Sequence, residues 1–126
     1  MRIKDIDHFV LTVASIPRTV EFYTTVLGMR ERTFDSGRTA LLFGSHKINL
    51  HEVGHEIDPK AGVPTPGSAD LCLLVEGDLT QIVRELRQRR VSIVLGPVNR
   101  TGARGPIRSI YIRDPDANLI ELSVYR

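Results

Sequence analysis

The stretch INLHEVGH, residues 48–55, has two readings, and the choice between them decides the fold. His51, Glu52 and His55 have the His-Glu-x-x-His spacing by which zinc proteases set two imidazoles and a general base on one helix face. Residues 48–53 on their own alternate as a strand. Gly54 then breaks the pattern, and DPKAGVPTPG, residues 58–67, cannot continue a helix. In an extended chain His51 and His55 stand roughly 13 Å apart, too far to share one metal. No further downstream histidine completes a protease set. The strand reading therefore excludes the protease and makes 48–53 the closing strand of a module.

Working outward, IKDIDHFVLTV (3–13) is rich in β-branched residues and reads as a strand. SIPRTVEFYTTVLGM (15–29) reads as a helix, with Ser15 as cap, Pro17 in the first turn and Gly28 as stop. RERTF (30–34), TALLFG (39–44) and INLHEV (48–53) follow as strands. Residues 54–68 hold three prolines and three glycines and read as a linker. The order then starts again. ADLCLLVEG (69–77) is a strand and DLTQIVRELRQRR (78–90) a helix capped by Asp78. VSIVLGPV (91–98), IRSIYIRD (107–114) and LIELSVYR (119–126) are strands, with NRTGARGP (99–106) a loop. This is β-α-β-β-β twice: module 1 over 1–53, linker 54–68, module 2 over 69–126. Setting His8 against Asp70 aligns FVLTV with LCLLV. Setting Gly44 against Asp114 places His51 over Glu121. The expected class is α+β, with two βαβββ modules that pack together or pair across a dimer.

The composition suits one globular domain: 126 residues, 41% hydrophobic, 25% charged, net charge +2. No Lys or Arg run exceeds Arg89-Arg90, so a nucleic-acid role is not expected. No apolar run is long enough to span a bilayer, and a single cysteine, Cys72, allows no internal disulfide. The expected compartment is the cytoplasm.

Four polar residues interrupt apolar strands: His8, His51, Asp70 and Glu121. Strand alternation sends Phe9, Leu11 and Val13 to the helix and leaves His8 on the other face. The same rule leaves Asp70 and Cys72 opposite Leu71 and Leu73, and Glu121 and Ser123 opposite Ile120 and Leu122. Two imidazoles and two carboxylates on one concave face would suit a divalent metal of intermediate hardness. Singly, each has a plain structural reading: a hydrogen-bonded strand-edge histidine, a Glu121–Arg108 pair, an Asp70 cap. The repeat is what groups them.

The motifs DHFVLTV (7–13), FYTTVLGM (22–29), INLHEV (48–53) and RDPDANLIELS (113–123) extend over nearly the whole chain. With them the chain resembles the vicinal oxygen chelate superfamily, which includes glyoxalase I, extradiol dioxygenases and fosfomycin-resistance thiol transferases. GPVNRTGARGP (96–106) resembles small glyoxalase-domain proteins, some labelled virulence-associated. The resemblance implies paired βαβββ modules forming a U-shaped mixed-sheet cleft, a metal at its base and, in many relatives, a homodimer. It maps His8 to the first-strand histidine ligand and Glu121 to the C-terminal glutamate ligand. His51 falls where glyoxalase I has a glutamate, and Asp70 where most members have a second histidine. The implied set is His8, His51 and Glu121, with Asp70 a weak ligand or a group that orients the others. The metal would be nickel, manganese, zinc, iron or cobalt. Glu121 or Asp70 would move a proton if it leaves the metal.

Arg100 and Arg104 would clamp an anionic substrate, unless their loop is merely solvated. If Ser109 and Tyr111 share the cleft face, the phenol would reach a substrate oxygen; otherwise Tyr111 packs at the rim. The Cys72 thiol reads as buried and inert, and His46 and His55 as surface residues. The expected function is a metal-dependent enzyme on a small oxygen-rich molecule. Isomerisation, epoxide opening by a thiol and oxygenation all remain open. The alternative is a metal-free protein that sequesters a small molecule or antibiotic, as bleomycin-resistance proteins do.

Overall fold

The computed structural model describes all of residues 1–126. Its order is β1(His8–Val13), α1(Ile16–Thr25), β2(Arg30–Phe34), β3(Arg38–Phe43), β4(His46–Glu52), β5(Asp70–Leu74), α2(Leu79–Gln88), β6(Leu95–Gly102), β7(Gly105–Arg113) and β8(Leu119–Tyr125). The chain divides into two compact units, Met1–Gly67 and Ser68–Arg126. It is α+β: each unit is one βαβββ module whose helix covers one face of a four-stranded mixed sheet. No helix is long and apolar enough to cross a membrane.

In the first unit the sheet order is β1-β4-β3-β2. β1 and β4 run parallel, and the β2–β3–β4 meander is antiparallel. The alternation of β1 and β4 sends Leu11, Val13, Ile48 and Leu50 inward, where they are buried with Leu41 and Tyr23. Ser15 caps α1 by accepting from the Arg18 amide at 3.3 Å. At its other end Gly28 (φ +70) turns the chain, and the Met29 amide bonds back to the Tyr23 carbonyl.

The second unit repeats the plan in the order β5-β8-β7-β6, again with the first and last strands parallel. Ile110, Ile112, Ile120 and Leu122 meet Leu79, Val83 and Leu86 of α2 in its core. Each such side chain contributes about 1.5–3 kcal/mol by leaving water. The DPDAN turn ties β8 to β5. Asp114 Oδ1 accepts from the amides of Asp116 and Asn118, and Asn118 Oδ1 accepts from the Ala69 amide at 2.8 Å.

Two boundaries differ most from the sequence reading. Residues 3–7 carry no strand: β4 begins only at His46, so nothing pairs with them, and Ile3 is 81% exposed. Residues 99–106, read as a loop, are mostly hairpin. β6 and β7 pair from Asn99↔Arg108 to Gly102↔Gly105 around a two-residue tip, Ala103-Arg104. Polar side chains hid this strand, but Asn99 is used within it, accepting from Arg108 at 3.0 Å.

The internal alignment also shifts. His8 pairs with Lys47 in β4, and Asp70 pairs with Leu119 in β8. Two residues further on lie Asn49 and Glu121. The topological counterpart of Glu121 is therefore Asn49, not His51. Gly44 and Asp114 were a false anchor because the turns differ: Phe43 pairs with His46 across two residues, whereas Asp114–Asn118 separate Arg113 from Leu119.

β6 is bulged between Leu95 and Val98. Gly96 sits in the bulge at φ +111, and a Cβ there would lie 2.5 Å from the Ser109 carbonyl oxygen. Gly96→Ala should lower the unfolding free energy by about 2–4 kcal/mol, combining a strained backbone with overpacking. Urea denaturation checks this; a loss under about 0.5 kcal/mol would mean the bulge relaxes freely.

Candidate functional site

The side chains that alternation leaves away from α2 form a polar strip on the second sheet. β8 contributes Glu121, Ser123 and Tyr125. β7 contributes Ser109 and Tyr111, in register with Ser123 and Glu121, and β5 contributes Asp70 and Cys72. Ser109 donates to Glu121 Oε2 at 2.6 Å, and Ser123 reaches the same oxygen at 3.3 Å. The two serine hydroxyls are 2.7 Å apart, and Ser123 Oγ is 3.2 Å from Cys72 Sγ. Both serines are fully buried. Their bonds hold Glu121 by one oxygen and leave Oε1 to a ligand or a proton. Asp70, exposed, lies on the same face and diagonally across from Glu121.

Cys72 is exposed, contrary to the buried thiol expected. Partial burial first, and then the Glu121 charge, push its thiol above the ordinary pKa despite the Ser123 bond. It stays protonated at neutral pH and is a poor nucleophile there.

A cavity of about 410 Å³ opens over this strip, lined in part by Glu121, Cys72, Tyr125, Arg100 and Arg104. Arg100 donates through Nε to the Tyr111 hydroxyl at 3.0 Å. Arg104 lies over the Tyr125 ring, 4.5 Å from its centroid, and its amide donates to the Tyr125 hydroxyl. Tyr125 escaped the sequence reading, although its even spacing from Glu121 along one strand was the available signal.

In the first unit His8 Nδ1 is 2.7 Å from Asp7 Oδ1. That bond, and then the imidazole's charge, lower the Asp7 pKa. An ionised carboxylate only accepts, so Nδ1 is the donor in this bond and Nε2 is the ring nitrogen outside it. This is the carboxylate–histidine arrangement that orients metal-binding imidazoles. Asp7 was not among the expected site residues.

His51 is placed differently from the expectation. Its β1 neighbour is Thr12, four residues beyond His8 in register, or about 13 Å along the strands. The first sheet does not bring the two imidazoles together. His51 is 4% exposed, and its Nε2 has no hydrogen-bond partner. The HEVGH run is not helical. β4 ends at Glu52, and the His55 amide turns back to the Glu52 carbonyl. His51 and His55 line a separate cavity of about 310 Å³. No three or more His, Cys, Asp or Glu side chains gather into one cluster. Taken unit by unit, the donors are of kinds that suit a divalent ion: the His8 imidazole in the first, and the Glu121 carboxylate with Asp70 on the same face in the second.

A family model described as the Glyoxalase/Bleomycin resistance protein/Dioxygenase superfamily matches residues 5–122. The chain belongs to this superfamily. It is 56% identical to Virulence protein STM3117 of Salmonella typhimurium over 99% of this chain and 87% of that one. The crystal structure of that protein superposes with a TM-score of 0.98 at full coverage of both chains. Identity to the glyoxalase domain-containing protein RDO1 of Mycosarcoma maydis is 50%, over the whole chain and 71% of the relative. An integron cassette protein from Vibrio cholerae, 52% identical, also gives a TM-score of 0.98, covering all of this chain and 98% of that one.

Burial, and then the Arg38 guanidinium, hold His51 below its ordinary pKa of 6.5, so it is neutral at physiological pH. In the unfolded chain it titrates near that ordinary value. The stability linked to neutral His51 is therefore fully present above about pH 6.5 and is lost as pH falls through that value toward the lower folded pKa. Melting temperatures between about pH 8 and pH 5 should fall more steeply for the native protein than for His51→Gln. Parallel slopes would remove His51 as the cause.

Proposed function

We propose that the protein is a divalent-metal-dependent enzyme acting on a small oxygen-rich molecule, with Glu121 and His8 as metal ligands. The carrying observation is the Glu121 carboxylate, fixed through Oε2 by the buried Ser109 hydroxyl, which Ser123 in turn supports, with Oε1 left free. Asp70, on the same face, is the third proposed ligand, or the group that orients the others. A divalent ion so held supplies Lewis acidity to a substrate bearing neighbouring oxygens. The remaining work falls to the chain's own groups. The Ser109 bond keeps Glu121 from rotating, so that Oε1, if it leaves the metal, can take a proton from a substrate carbon or oxygen and return it. Tyr111 accepts from Arg100, which leaves its own proton to donate to a substrate oxygen. His51 is outside the proposed set because its register separates it from His8. A homodimer in the cytoplasm belongs to the same reading, and light scattering at twice the chain mass tests the dimer.

Elemental analysis of protein purified without chelator, and then supplied with nickel, manganese, zinc, iron or cobalt, checks the ligands. The native protein and His51→Ala should retain metal. His8→Ala and Glu121→Ala should each bind it at least about tenfold more weakly. Metal loss in His51→Ala would return that residue to the ligand set. No uptake by the native protein would leave the sequestration reading, a metal-free cavity that holds its ligand without turnover.

A further inference from the structure

The cavity above Glu121 holds two guanidinium groups that are not paired with its carboxylate. Arg100 and Arg104 both line it, and their side chains bond to Tyr111 and Asn99 and stack on Tyr125. Glu121 shares the cavity and bonds to serines, not to either guanidinium. Two arginines beside a carboxylate they do not pair with leave a positive pocket.

Both guanidinium groups are also held in place. Arg100 spends Nε on the Tyr111 hydroxyl and one Nη1 bond on the Asn99 carbonyl, at 3.0 and 3.1 Å. Its Nη2 edge has no such bond. Arg104 is stacked on Tyr125. The hairpin closes tightly enough that a Cβ on Gly102 would lie 2.8 Å from the Tyr125 hydroxyl. Only glycine lets that tip settle on the ring and set Arg104 at the cavity edge. A guanidinium that is ordered before its ligand arrives loses less entropy on binding. Leu74 and Ile107 supply apolar wall between the arginines and the strip, and about 410 Å³ limits the occupant to a small molecule.

From this arrangement we infer that the substrate carries one compact oxyanion, a carboxylate or a phosphate-type group. Arg100 and Arg104 bind it while a short carbon segment reaches toward Glu121. The inference rests on the reading of Glu121 as the reactive end, but the anion clamp needs no metal and is tested without one.

Chelator-treated protein is titrated with propionate and, separately, with inorganic phosphate, following the arginine Nε–H and backbone amide NMR signals. The clamp predicts saturable shifts at Arg100, Arg104 and Gly102 with at least one probe, and the tighter probe identifies the anion type. Arg100→Gln and Arg104→Gln should each weaken binding about tenfold, and the double variant should abolish it. Arg84→Gln, on the α2 surface, should leave it unchanged. Circular dichroism confirms that each variant is folded. Absence of saturable shifts with both probes, or binding that survives in the folded double variant, overturns the clamp. The two readings fail separately: anion binding that persists in protein unable to take up metal sinks only the metal, and metal uptake without anion binding sinks only the clamp.

Discussion

The second unit depends on the pairing of β8 with β5 on one side and β7 on the other. Those two registers decide which residues of LIELSVY face α2 and which face away. A slip of one residue would send Glu121 and Ser123 into the apolar layer and expose Ile120 and Leu122. Burying an unpaired carboxylate there would cost several kcal/mol, so the core pattern itself enforces the register. The Asp114–Asn118 turn reinforces it by binding the Ala69 amide, which fixes where β5 starts relative to β8. Core packing, turn chemistry and the placement of Glu121 thus specify the same register.

The polar strip is affordable only because it is internally satisfied. Ser109 and Ser123 are fully buried hydroxyls: Ser109 donates to Glu121 and accepts from Ser123. An apolar replacement at either position would strand the remaining hydroxyl and loosen the carboxylate. The first unit does less well. Asn49 Oδ1 and His51 Nε2 are buried without partners on the corresponding face. Buried orphan atoms of this kind are uncommon, and each costs stability where it stands.

The repeated βαβββ plan was legible in the sequence because strand alternation and helix periodicity do not depend on distant contacts. The helix caps at Ser15 and Asp78 were legible for the same reason, and both act as read. The β6–β7 hairpin was not: Asn99, Arg100 and Thr101 look like loop residues, and only pairing with β7 makes them a strand. At the candidate site, period-two alternation put Glu121, Ser123, Ser109, Tyr111, Asp70 and Cys72 on one side. It could not give the register between β1 and β4, a long-range property, and the repeat alignment that stood in for it grouped His51 with His8. The alternation rule also says nothing of which polar neighbours bond. The serine pair behind Glu121 and the Asp7 carboxylate behind His8 had to be seen.

The two units share a topology but have diverged in donors, and the divergence carries chemical meaning. At matched positions the first unit has His8 and Asn49 where the second has Asp70 and Glu121. The neutral amide removes an anion from the first sheet and concentrates carboxylate on the second. The second sheet is also where the longer hairpin adds Arg100 and Arg104. A carboxylate strip flanked by unpaired arginines would attract a substrate's anion to one end and keep it off the other, because Glu121 and Asp70 repel it. An anionic molecule entering such a cavity has one favoured orientation, with its charged group at the hairpin and its uncharged oxygens toward Glu121. The duplication supplied two equivalent frames, and the substitutions on them give the cavity a direction.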